Sequence, residues 1–347
     1  MHRDLHTGPP VPRATLCGWA AGFFLLLVSA CSTVSPPGPE LSPGQGSGAG
    51  TASLLRSRSD LKPLSVPAIG DTLPRWQPLS ADGDLSVFAG RTKKPRLEFW
   101  AVRVVLAGQR ILIDAGPGEG IPRFGHVAST RVSSFVRDNG LWVGINTVPF
   151  EPSSAREGED RRVVGLGLSE GRLIAPPVAR YDALVFYRDG RAAIVGQQEL
   201  SPRDSADSPD IPPEILHATG GFHCILRDGE LTERARRESP RYARSAVGIS
   251  ADGRTLYLLA INGGLLTKRG ATEAETALLL KQLGAHDALN LDGGGSSALV
   301  LRFADGVRVL NTPAHAGLPG WERAVALCLG IGPRRSGRDP ADSPPRP

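Results

Sequence analysis

The chain has 347 residues, a formal net charge of +5, 40% hydrophobic residues and four cysteines. That length fills one well-packed domain and leaves room for extensions at either end. The positive balance is mild. No basic helix, zinc-finger spacing or aromatic–basic interleaving points to nucleic acid, and no Cys-x-x-Cys or His/Cys cluster points to zinc.

Residues 14–31 read ATLCGWAAGFFLLLVSAC, an apolar run preceded by Arg3 and Arg13 and closed by small residues. Charged start, short apolar centre and small-residue end are the parts of an export signal, and the run is too short for a comfortable membrane span. Its end, Val28-Ser29-Ala30-Cys31, resembles the bacterial lipobox. That resemblance implies cleavage before Cys31 and a diacylglycerol on its thiol, with an ordinary secretory signal as the alternative. Ser32 follows the cysteine, and no aspartate there favours inner-membrane retention. The expected location is therefore the bacterial cell envelope, lipid-anchored, at the periplasmic or surface face of the outer membrane. The expected organisation is a signal peptide at 1–30, a Pro/Gly/Ser-rich tether at 31–74, a folded body at 75–332 and a disordered Pro-rich tail at 333–347.

Within the body, Asp82-Gly83, Asp189-Gly190, Asp228-Gly229, Asp252-Gly253 and Asp305-Gly306 each lie beside apolar or β-branched runs. Asp-Gly in that setting is the strongest short-range hairpin signal. Strands are expected at 97–106, 110–114, 141–146, 183–187, 192–195, 222–226, 254–262, 288–292, 298–303, 307–311 and 324–331. A short helix is expected over 130–139. A stronger one runs from Thr272 to Gly284, where Thr272 and Glu275 make a capping box. In it Thr276, Leu279, Leu280 and Leu283 follow helical spacing, and Gly284 supplies a stop. The strand at 254–262, this helix and the strand at 288–292 compose a β-α-β-like crossover near the C-terminus. The fold class is α+β, mainly antiparallel sheet with few helices.

The candidate chemistry lies in NLDGGGSSALV, residues 290–300. Three consecutive glycines exceed what chain reversal requires. Gly293, Gly294 and Gly295 allow backbone amides to meet an anion, Ser296 and Ser297 add hydroxyls, and Asp292 places a carboxylate at the rim. A generous hairpin turn is the plain alternative. No lysine follows Gly295 as a phosphate-binding P-loop requires, and the serines do not fit a nucleophile elbow. The segment Gly165–Gly171 misses dinucleotide spacing.

ALNLDGGGSSALVL, preceded by GATEAETALLLKQLGAHD, resembles the C-terminal signature of the phosphodiester glycosidase family. YARSAVGISADGRTLYLLAING, VGINTVPF, TGGFHCILRDGEL, VLNTP and ERAVALCLGI resemble further family segments in the expected order. The resemblance extends from about Leu97 to Ile331 and is strongest from Arg244 onward. It implies hydrolysis of a sugar-1-phosphodiester, with Asp292 and Arg244 catalytic. It also implies Asn146, the loop from Gly293 to Ser297, Asn311 and Arg323 as substrate-binding. Arg244 would neutralise the phosphate with its fork of donors. Asp292 would stabilise charge at the anomeric carbon or activate water, and Asn146 and Asn311 would orient hydroxyls. No cofactor is implied, a divalent cation at Asp292 is an open alternative, and the partners are a glycan or sugar-phosphate and, through Cys31, a membrane.

Several positions depart from the family pattern. Thr147 and Val148 replace glycines after Asn146, which places side chains on the expected pocket wall. The strand AVRVVL lacks an aspartate found in many relatives, and Asn262 stands where Asp-Gly is frequent. These losses weaken a two-carboxylate mechanism, with Glu151 as a possible second carboxylate. They motivate an alternative, a non-catalytic envelope lipoprotein that binds anionic glycan through the same loop. The other arginines between Arg234 and Arg241 read as a solvated cationic loop. His223, His286 and His315 receive no role, and Cys224 and Cys328 are either paired or free.

Overall fold

All five Asp-Gly pairs close antiparallel hairpins, with positive φ at Gly83, Gly190, Gly229, Gly253 and Gly306. Local turn chemistry therefore sets much of the strand order. The computed structural model describes residues 57–80, 82–115, 123–200, 211–263 and 270–333; the segment expected to be an export signal, Cys31 and the tail beyond residue 333 lie outside them. None of the helices among the described residues is long and apolar enough to cross a membrane.

The largest sheet has nine strands. Its centre runs Leu85–Lys94, Leu97–Val105, Thr255–Ile261, Arg244–Ile249, Asp287–Asn290 and Cys224–Arg227 in spatial order. Thr255–Ile261 and Asp287–Asn290 both pair antiparallel with Arg244–Ile249 between them, so they run parallel to each other. Their connection is the long helix, which makes the expected crossover over a third strand. Leu64–Ala68 pairs parallel with Leu85–Lys94 at one edge. This strand falls inside the segment 31–74 read as tether: its backbone is paired in the sheet and Val66 is buried, so the body starts earlier than residue 75.

A five-stranded sheet of Gly306–Val309, Leu299–Phe303, Val143–Asn146, Cys328–Gly332 and Arg110–Asp114 faces the large one. The core between them joins Leu256, Leu258 and Leu289 to Ile145, Leu299 and Leu329. A second five-stranded sheet contributes Leu184, Phe186 and Ile194 to the same core. Strand alternation sends Tyr257, Leu259 and Ile261 to the opposite face of the large sheet.

Three helices are present among the described residues: α1 (Val132–Asp138), α2 (Glu233–Arg236) and α3 (Glu273–Leu283). Helix α3 covers the outer face of the large sheet through Leu279, Leu280 and Leu283. Its Thr272–Glu275 capping box is complete, and Gly284 closes it in left-handed geometry at φ 109°. Helix α1 packs Val132, Phe135 and Val136 on the outer face of the C-terminal sheet. Mostly antiparallel sheets with few helices match the α+β expectation. Cys224 and Cys328 are buried free thiols; loss of hydration raises the first to about 11 and the second well above its usual range.

Candidate active site

The strand expected to end at Asp292 ends at Asn290, and Gly294–Ser296 form a 3-10 turn. Asp292 thus lies just beyond the edge of regular pairing, where its backbone requires other partners. Residues 146 and 147 of the facing sheet supply them. The Asp292 N–H donates to the Thr147 carbonyl at 2.8 Å, and its carbonyl accepts from Asn146 Nδ2 at 2.6 Å. Asn146 Oδ1 accepts from the Ser245 hydroxyl at 2.7 Å and the Ala298 N–H at 3.1 Å. Fully buried and committed to these contacts, Asn146 holds the loop and does not line the cavity, in contrast to the expected hydroxyl contact. Asn311 does the same work on the other flank. Its Oδ1 accepts from the Leu299 N–H at 2.9 Å and its Nδ2 donates to the Ser297 carbonyl at 2.8 Å.

The three glycines answer three separate demands. A Cβ on Gly293 would lie 2.9 Å from the Ala243 carbonyl oxygen. Gly294 has φ +60°, a left-handed conformation costly to other residues, and faces open space. A Cβ on Gly295 would lie 2.4 Å from Arg323 Nη2. Two of the three amides expected in an anion cradle are already committed: Gly294 N–H donates to the Ala243 carbonyl at 2.8 Å, and that of Gly293 to the Asp292 carboxylate.

Asp292, Asn290, His223, Phe222, Arg244 and Glu273 line a cavity of about 420 Å³. Asp292 is partly accessible at its wall, but the surrounding protein displaces enough water to raise its pKa to about 6. A Ser296 hydrogen bond, the Arg323 charge and the Gly293 N–H oppose that rise. Ser296 relays the two, because its hydroxyl also accepts from Arg323 Nη1 at 3.1 Å. Arg323 Nε donates to His315 Nδ1 at 3.1 Å, which fixes the histidine as an acceptor there. Ser297 is fully buried outside the cavity lining, and its hydroxyl lacks a partner.

Arg244 lies in the cavity wall with two donors committed, Nε to the Ala271 carbonyl at 3.0 Å and Nη2 to the Pro240 carbonyl at 2.8 Å. Its guanidinium stands 5.7 Å from the Tyr242 ring centroid, and Nη1 is 3.9 Å from Glu273 Oε1. Burial lowers its pKa, opposed chiefly by Glu273. These contacts fix the orientation of the guanidinium in the cavity wall.

Family comparison decides the lineage. The phosphodiester glycosidase family model matches residues 139–332. The chain belongs to the phosphodiester glycosidase family. That membership supports a hydrolase acting on glycosidic phosphodiester linkages. The matched region contains every expected site residue of the body, from Asn146 to Arg323. The catalytic domain of zebrafish N-acetylglucosamine-1-phosphodiester alpha-N-acetylglucosaminidase, auto-inhibited by pro-peptide, is similar in fold. It shares 19% identity at a TM-score of 0.51, over 77% of this chain and 87% of that one. A hypothetical protein from Synechocystis aligns at a TM-score of 0.47 with 15% identity, over 71% of this chain and 61% of that one. No curated protein matches the chain.

Within this phosphodiester glycosidase domain several expectations are corrected. Thr147 turns its hydroxyl to the Leu327 carbonyl at 3.1 Å and Val148 packs in a hydrophobic cluster, so neither narrows the cavity. Glu151 is exposed and paired with Arg162 at 2.8 Å. The second carboxylate of the cavity is Glu273, the first residue of α3, buried and 3.5 Å from Arg234 Nε. Arg234 also lines the cavity and is no member of a purely solvated loop. Among the described residues, the His/Cys/Asp/Glu group close enough to share a cation is Asp228, His286 and Asp287, and none of these lines the cavity. Glu273 and Asn290 lie within the family-like segments without a pattern that singles them out, and His223, given no role above, immediately precedes the strand Cys224–Arg227. The one available signal for Glu273 was its place beside the capping threonine.

Proposed function

We propose that this chain is an exported, membrane-anchored hydrolase that cleaves the bond between a sugar's anomeric carbon and a phosphodiester oxygen. The observation that carries the reading is the single cavity in which Asp292, with a pKa near 6, meets Arg244, Arg234, Glu273 and His223. At neutral pH Asp292 is mostly ionised and suited to stabilise positive charge at the anomeric carbon. The phosphate leaves as an anionic monoester and requires little acid assistance, so a guanidinium serves in place of a protonated carboxyl. Arg244 and Arg234 supply that charge. Water adds to the anomeric carbon as the C–O bond to phosphate breaks, its proton passes to Asp292, and the products are free sugar and a phosphomonoester. Asn290 Oδ1, buried without a partner in the same cavity, is placed to accept from a sugar hydroxyl.

The test incubates the soluble domain with an N-acetylglucosamine-1-phosphodiester and follows free sugar and phosphomonoester together. Both appear with the native chain and disappear with Asp292→Asn. Turnover unchanged in that variant would remove Asp292 from the chemistry, and binding without turnover would make the chain a glycan-binding module. Lipid anchoring rests on the sequence around Cys31. Fatty-acid labelling that persists in Cys31→Ala would exclude it.

A further inference from the structure

The Asp292 cavity does not end at the glycine loop. Tyr242 and Gly294 line both it and a second cavity of about 1100 Å³ that holds Gly295 and Arg323. Gly263 lines this second cavity and also a third, of about 760 Å³, formed with Asn262, Thr312, Arg91, Lys93 and Arg96. The backbone between them is held tightly. A Cβ on Gly263 would lie 2.2 Å from the Ala243 nitrogen, and the Ala243 carbonyl accepts the Gly294 N–H at 2.8 Å. Asn262 braces the far end by donating to Glu98 at 2.9 Å and accepting from the Thr312 N–H at 2.8 Å.

Charge on this third compartment is uneven. Arg91 is neutralised by Glu98 at 2.7 Å. Lys93 and Arg96, on the exposed tip of the hairpin joining Leu85–Lys94 to Leu97–Val105, have no acidic partner among the described residues. Three neighbouring compartments with shared lining residues far exceed one sugar, and the last carries two cations without an acidic partner among the described residues. We propose that Lys93 and Arg96 form a distal subsite for a second phosphate of a repeating sugar-phosphate polymer, whose scissile unit lies at Asp292. This inference rests on the proposed function and specifies its substrate class. Adjacency of the three compartments, through Tyr242 and Gly294 and then Gly263, favours a polymer laid past Tyr242 over an anionic membrane, which would need no neighbouring catalytic cavity.

The test compares poly(N-acetylglucosamine-1-phosphate) with methyl N-acetylglucosamine-1-phosphodiester as substrates of the native chain and of Lys93→Glu/Arg96→Glu. The charge reversal raises KM for the polymer about tenfold, leaves its kcat within about twofold and leaves the small diester unchanged. Equal effects on both substrates, or on neither, overturn the proposal. A second arm measures polymer binding to Asp292→Asn by calorimetry, with and without the charge reversal. About tenfold weaker binding, lessened by salt, supports the subsite even if the native chain cleaves neither substrate, which would refute the proposed function alone. Unchanged polymer binding, with lost binding to phosphatidylglycerol vesicles, overturns the subsite and assigns the patch to membrane.

Discussion

Asn146 donates to the Asp292 carbonyl at 2.6 Å across 146 positions of sequence. The same side chain accepts the Ala298 N–H and the Ser245 hydroxyl, so one buried amide ties the facing sheets together at the glycine loop. Asn146→Ala leaves buried donors and a carbonyl unpaired. The expected loss is about 2–4 kcal/mol of stability, read from urea midpoints. Turnover should fall in protein that remains folded, because Asp292 loses one of its two backbone anchors.

Asp292 carries a pKa of about 6 against an ordinary 3.8. Activity should therefore rise with pH through about 6 as the carboxylate ionises. Stability has the opposite sign. A folded-state pKa raised above the unfolded one contributes stability below pH 3.8 that is lost as pH climbs through 6. Asp292→Asn should consequently be more stable than the native chain at pH 7, by at most roughly 3 kcal/mol, with the gap closing near pH 4. Paired denaturation curves at the two pH values check this.

Gly294→Ala and Gly295→Ala should fail differently. The first forces an alanine to φ +60° with space around it, for about 1–2 kcal/mol of stability. The second pushes a methyl into the Arg323 guanidinium and should lower activity more than stability. Melting and turnover measured on both variants separate backbone strain from displacement of a charged group.

Arg323 lowers the Asp292 pKa, and His315 holds Arg323 through a neutral Nδ1. Loss of hydration, then the Arg323 charge, keeps the His315 pKa below the usual histidine value. Arg323→Ala should move the acid limb of the activity profile to higher pH, and His315→Ala should move it in the same direction by less. A pH–rate profile of the three proteins checks the order.

Cys224 and Cys328 should not react with a thiol reagent in the native state and should both react after unfolding. Their burial and raised pKa values suppress the thiolate. A reducing agent should leave the melting temperature unchanged.

Features built from contacts within a few residues were legible in the sequence. The five Asp-Gly hairpins and the Thr272–Glu275 capping box closed by Gly284 need only neighbouring backbone, so their residue types announce them. The family signature likewise marked Asp292, Arg244 and the glycine loop as one functional region. What each residue touches was decided by the tertiary structure. Asn146 and Asn311, read as ligand contacts, are braces, and Glu273 from the start of α3 takes the place proposed for Glu151. The glycines looked like one anion cradle and proved to serve a close carbonyl, a left-handed turn and a neighbouring guanidinium. The physical reason is range. Turn and cap energies are set by adjacent peptide units, whereas burial, desolvation and side-chain pairing depend on strands that meet only after the sheets have packed face to face.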